Sequence, residues 1–163
     1  MRQPRGKLIQ TDLAYIAGFL DGDGSLMLQL KKRKDGKSKA RFMATICFYQ
    51  DTRHQRELTW IRSIFNIGYL SHRNDGMSEL RINGFTQVKN ILTVLQPYIR
   101  FKKLQLINLL EAVKILEAKS MTKLNEGDFK SLVEHMIQIQ GANYVTKRKR
   151  TKSELYEVLG LTP

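Results

Sequence analysis

The apolar pattern of this 163-residue chain changes period within four residues, and that change dictates how its first part folds. Leu13, Ile16, Ala17 and Leu20 fall at i, i+3, i+4 and i+7, one face of a helix, with Thr11 at the N-cap position. After them Leu26, Leu28 and Leu30 alternate with Met27, Gln29 and Lys31, the period of a strand with one apolar and one polar face. The switch falls on Asp21-Gly22-Asp23-Gly24, a turn signal with no spare length for a loop. The helix stops there, and the strand that follows buries one face and leaves the other available.

The same logic repeats downstream. Asp35-Gly36 reads as a hairpin turn, and the partner strand runs from about Arg41 to Gln50. Its faces are Phe42, Ala44, Ile46 and Phe48 on one side and Arg41, Met43, Thr45, Cys47 and Tyr49 on the other. Leu58, Ile61, Ile64 and Phe65 repeat at helical spacing beside Trp60. A second hairpin turns at Asn74-Asp75-Gly76, with Leu70, Leu80 and Ile82 inward and Tyr69, Ser71, Arg73, Glu79 and Arg81 outward. Val88, Ile91, Leu92 and Leu95 form a helix ended by Pro97, and three more helical patterns pass through Leu106, Leu132 and Leu155, the last stopped by Gly160. This order predicts one α+β domain over residues 1–163, with a four-stranded antiparallel sheet and helices on one face. Residues 1–142 form the core, with the first helix at 11–24, and 143–163 a basic loop and terminal helix.

Composition narrows the partner. Lys and Arg number 28 against 15 Asp and Glu, a net charge of +13, so an acidic partner is expected, above all a nucleic-acid backbone. The hydrophobic share of 42% is enough for a core, so the charge does not imply disorder. The basic residues cluster, seven between Lys31 and Arg41, five between Lys147 and Lys152, and a smaller group at Arg100, Lys102 and Lys103. The single cysteine, Cys47, rules out an intramolecular disulfide and a multi-thiolate zinc site. Neither a membrane-length apolar run nor a secretory leader is read, so the expected setting is intracellular and reducing.

Asp21 and Asp23 carry the candidate chemistry. They sit at the C-terminal end of a helix, where the dipole disfavours each by about 0.3–1 kcal/mol unless a cation compensates. Magnesium, which takes a few carboxylate and carbonyl oxygens, fits such a site, whereas a calcium loop does not, because Leu26 and Lys32 occupy the Gly and Glu positions it needs. His72 and His135 receive no role.

The run Tyr15-Ile16-Ala17-Gly18-Phe19-Leu20-Asp21-Gly22-Asp23-Gly24-Ser25 resembles the motif of the LAGLIDADG homing endonucleases. Gln50, Ile67-Gly68-Tyr69, Leu95-Gln96-Pro97-Tyr98 and the basic segment before Ser153 resemble the single-motif, homodimeric branch of that family, in order and spacing. The resemblance implies the αββαββα fold and a homodimer that cuts a long, near-palindromic DNA duplex, leaving 3′ overhangs. It implies Asp23 and the Gly22 carbonyl as ligands of magnesium, with manganese or calcium as substitutes, and Gln50, Lys102 and either Arg53 or His54 around the scissile phosphate. The motif helix would pair with its copy through Tyr15, Ile16, Ala17, Gly18, Phe19 and Asp21, with Asp21 also orienting the helix ends.

An antiparallel ribbon fits the DNA major groove. Its candidate readers are Met27, Gln29, Lys31, Arg33, Arg41, Met43, Thr45, Cys47, Tyr69, Ser71, Arg73, Glu79 and Arg81, while Lys147, Arg148, Lys149 and Arg150 would grip the backbone. Two other readings stay open at this level, an RNA-binding maturase and a DNA-binding regulator without catalysis. RNA enters only with the maturase reading, which the narrow major groove of A-form RNA disfavours. An organellar setting is compatible with the family and is not selected by any residue.

Overall fold

The structure, a computed structural model, describes residues 8–32, 40–143 and 148–162. Helix α1 (Gln10–Asp23) runs directly into β1 (Gly24–Lys32), and β2 (Ala40–Asp51) returns antiparallel to it. A 3-10 turn at Thr52–His54 leads to α2 (Gln55–Phe65), then β3 (Tyr69–His72), β4 (Met77–Asn83) and α3 (Phe85–Leu95). Helices α4 (Lys103–Ala118), α5 (Glu126–Ala142) and α6 (Lys152–Leu159) complete the chain. The expected α+β class and the αββαββα order hold, with a sheet of order β1-β2-β4-β3. The Asp35-Gly36 turn, Arg33 and Lys147 lie outside the described residues.

Two boundaries differ from the sequence reading. Helix α1 is capped from Ile9 without a side-chain bond, so Thr11 lies inside the first turn and not at the cap. Strand β3 stops at His72, and Arg73 belongs to the turn, its N–H donating to the Met77 carbonyl at 2.8 Å. Asn74-Asp75-Gly76 makes that turn, and Gly76 supplies the positive φ of 78° that other residues resist.

Register follows hydrophobic alternation. Leu26 opposes Ile46 and Ile46 opposes Ile82, so one row of apolar side chains crosses the inner strands and faces the helices. Leu13, Ile16, Ala17 and Leu20 of α1 are buried in that core with Leu58, Ile61, Leu92 and Leu95. At roughly 25 cal/mol per Å2 of apolar area, each such large side chain contributes about 1.5–3 kcal/mol on burial. Helices α4 and α5 pack against each other and against β1, where Phe42 of the sheet stacks on Phe129 of α5 at 6.5 Å.

The passage from α1 to β1 depends on Gly24. A Cβ there would sit 2.8 Å from the Leu20 carbonyl oxygen and 2.9 Å from its Cα, closer than backbone atoms tolerate. Gly24→Ala therefore costs about 1–3 kcal/mol of stability through local overpacking, read as a lower urea midpoint. An unchanged midpoint would show that the junction has room to spare.

Candidate active site

The two acids of the motif end up in different surroundings. Asp21 is buried, and its carboxylate accepts the backbone N–H groups of Arg100 at 2.6 Å, Phe101 at 3.2 Å and Lys102 at 3.0 Å. The Lys102 amide is at the N-cap of α4 and the other two lie just before it, so convergent donors at the start of one helix compensate a carboxylate stranded at the negative end of another. The compensation expected from a cation is thus already met for Asp21. Asp23, the last residue of α1, is exposed, as is Gly22.

Lys102 closes the floor of the site. It is buried, and its Nζ donates to the Asp21 carbonyl oxygen at 2.5 Å. Burial pushes its ammonium below the usual lysine range, opposed by the pull of Asp21 and Asp23. Gln50 stands at the same end of the sheet, because Gly24 pairs with Phe48 and β2 runs on past it. The Gln50 Oε1 accepts the Asp51 N–H at 2.9 Å, which directs its amide nitrogen away from the backbone. Arg53 and His54 lie exposed in the turn after β2. The Arg53 guanidinium grips Asp51 through Nε at 3.0 Å and Nη2 at 2.8 Å and holds that carboxyl well below its usual range.

Among the described residues no cluster of three or more His, Cys, Asp or Glu is arranged for a metal. What α1 offers is one exposed carboxylate and the carbonyls of its last turn, where the helix leaves oxygens without an intrahelical partner. Such a hard-oxygen set, completed by water and phosphate oxygens, fits magnesium or calcium and not a thiolate metal.

On the outer face of the sheet the expected row of readers is present but not equally available. Met27, Gln29 and Met43 are half-buried, and Lys31, Arg41 and Tyr69 are exposed. Thr45 and Cys47 are 0% exposed and Glu79 is 7% exposed, which corrects their reading as open side chains. They occupy the inner strands, where cross-strand neighbours cover short side chains. Thr45 donates to Asn83 Oδ1 at 2.7 Å, and burial lifts the Cys47 thiol to about 11. Tyr49, bonded to Ser25 at 3.0 Å and also partly buried, is pushed up to about 12. The Arg73 guanidinium carbon stands 6.0 Å from the centre of the Tyr49 ring and pairs with Asp75.

Four further assignments change. Ile16, Ala17 and Asp21 are buried in the chain's own interior and offer no surface to another copy. The outward face of α1 is Ala14, Tyr15, Gly18 and Gly22, with Phe19 half-buried. Arg150 donates from Nη1 to the Leu30 carbonyl at 3.1 Å, holding the open edge of β1 and not reaching outward. Arg148 and Lys149 remain exposed. Sequence reading misses Phe101, which is 85% exposed beside Asp21; it stands hidden among Arg100, Lys102 and Lys103. It also misses the Asn143 amide, which donates to the Leu26 carbonyl at 3.2 Å.

An acid presented at the end of a glycine-lined helix, above a basic four-stranded sheet, defines an α+β class built around a motif helix. Residues 16–113 match the family model described as LAGLIDADG endonuclease, and the chain belongs to that family. It is 33% identical to DNA endonuclease I-CvuI of Chlorella vulgaris over 114 residues, 70% of this chain and 71% of the relative. It is 31% identical to DNA endonuclease I-CreI of Chlamydomonas reinhardtii over 147 residues, 90% of this chain and 88% of the relative. The crystal structure of the homing endonuclease I-CvuI in complex with the I-CreI target, in the presence of 2 mM Mg, superposes with a TM-score of 0.76 at 28% identity. That match covers 93% of this chain and 94% of the other.

The contrast between the acids predicts different effects on stability. Asp21→Ala leaves three amides without an acceptor and lowers stability by about 3 kcal/mol, whereas Asp23→Ala changes it by less than about 0.5 kcal/mol. Thermal unfolding of the two variants decides this, and equal melting points would refute the division of labour.

Proposed function

We propose that this chain is the subunit of a site-specific homing endonuclease, a homodimer that cuts both strands of a long, near-palindromic DNA duplex by metal-dependent phosphodiester hydrolysis. The observation that carries the reading is the separation of the two motif acids, one consumed by the fold and the other held out at the helix end. Relatives named DNA endonucleases, and a relative's structures solved on DNA targets with magnesium or calcium, support it.

Asp23 and the Gly22 carbonyl would hold the divalent ion, with magnesium favoured by the hard-oxygen donor set. Such an ion supplies an activated water and stabilises the leaving 3′ oxygen. Lys102 keeps a cation beneath the phosphate, where charge builds in the transition state. Gln50, its carbonyl tied to the backbone, would offer its amide to the water that the ion activates. Arg53 is tied to Asp51, which leaves the His54 imidazole the freer of the two for that network.

One chain brings one Asp23, and two cuts require two. Neither Gly18 nor Gly22 has a positive φ, and a Cβ at either would meet nothing within 4 Å. The chain's own fold would accept alanine at both, with a gain of about 1 kcal/mol in a helix. Close approach of a second α1 accounts for glycine there, with Tyr15 and Phe19 flanking the contact. Phe101 adds apolar surface next to it. The exposed Arg148 and Lys149 reach phosphates beyond the ribbon, and doubling the +13 of one chain makes binding fall steeply with salt.

Asp23→Asn should bind the cognate duplex in a gel-shift assay and fail to cut it; retained cutting removes Asp23 from its role. Light scattering should give about twice 18.9 kDa, and a monomer that makes double-strand breaks would overturn the shared assembly.

A further inference from the structure

Glu79 is a carboxylate at the centre of the sheet's outer face, where DNA phosphates would approach. Its position is fixed by its own neighbours. Oε1 accepts from Ser71 Oγ at 3.1 Å and from Arg81 Nε at 2.6 Å, and Oε2 accepts from Arg81 Nη2 at 3.1 Å. The Cys47 thiol lies 4.0 Å from Oε2. With Glu79 almost fully buried, this bidentate pair is far better held than the exposed, single-contact pair of Arg73 with Asp75.

The geometry decides which part of Arg81 is left. Glu79 occupies the side edge of the guanidinium, formed by Nε and one N–H of Nη2. The end edge, formed by Nη1 and the other N–H of Nη2, has no partner among the described residues. A guanidinium presents two parallel donors along that edge, the arrangement that matches the O6 and N7 acceptors of guanine in the major groove. Arg81 opposes Cys47 on β2 and Tyr69 on β3, at the centre of the outer face and not at its rim. The carboxylate neutralises the local charge, so Arg81 gains less from a phosphate and keeps its orientation for a base edge. Glu79 itself is poorly placed to take the amino group of cytosine, since it is almost fully buried and three of its acceptor sites are used by Ser71 and Arg81.

We infer that Arg81, buttressed by Glu79, reads one guanine in each half of the target, and that Glu79 is the positioning residue for that readout. The inference rests on the endonuclease reading for its setting. A duplex library with randomised positions, incubated with the wild-type protein and magnesium, is sequenced at the cut ends; the protein-bound fraction of the same library, selected in calcium, is sequenced in parallel. The wild type should show one guanine at symmetric positions of the two half-sites. Arg81→Ala should lose that preference by roughly 5- to 100-fold at this position alone. Glu79→Gln, which keeps one acceptor and loses the other, should weaken the same preference with other positions unchanged. Arg81→Lys, a milder change, should bind and lose the bidentate preference, guarding against a folding failure of the alanine variant.

A profile unchanged in Arg81→Ala and Arg81→Lys, or a change confined to a base other than guanine, overturns the inference. If the wild type binds specifically without cutting, the endonuclease reading fails, while the guanine preference in the bound fraction still supports or overturns the role of Arg81.

Discussion

The carboxylate of Asp21 ties the end of one helix to the start of another, and the geometry of the site follows from it. Three amides at residues 100–102 converge on its oxygens, and the Lys102 ammonium turns back to its carbonyl. The loop between α3 and α4 is therefore fixed relative to α1, although 79 residues separate Asp21 from Arg100 in the chain. An acid at a helix C-terminus is ordinarily a liability, and here the three amides that lead into α4 offset it. Because that acid is satisfied internally, the second one, two residues on, is free to be exposed.

A similar division runs through the basic residues. Arg150 satisfies a carbonyl of β1, and Arg81 is held by Glu79, so part of the positive charge is structural. Lys31 and Arg41 are exposed on the sheet, and Arg148 and Lys149 are exposed with only long contacts, to Glu154 at 3.9 Å and to the Gly141 carbonyl at 3.4 Å. Charge that is pinned gives direction, whereas charge that is free gives attraction without sequence information. The outer face thus combines a rigid centre with an exposed, cationic margin.

The elements are legible because period alone distinguishes them. Leu13 to Leu20 read as a helix, Leu26 to Leu30 as a strand, and both hold. The motif acids are legible as well, since Asp21-Gly22-Asp23-Gly24 stands where a helix must stop. Alternation assigns a side chain to a face and says nothing of what covers it. Thr45, Cys47 and Glu79 lie on the expected side but beneath their neighbours, and Ile16 and Ala17 belong to the inward stripe of α1. Arg150 illustrates a further limit: its partner is a backbone carbonyl 120 residues away, and a basic run does not show which of its members will be used inside the fold.

The clasp on β1 also bears on how copies of this chain can associate. A bare edge strand offers unpaired carbonyls and amides to any other strand that meets it. Here the carbonyls of Leu26 and Leu30 are taken by Asn143 and Arg150, and the opposite edge is β3, only four residues long. Both margins of the sheet are poor templates for growth. Assembly by extending one sheet into the next is disfavoured, and the outer face of the sheet is protected from fibre-like stacking.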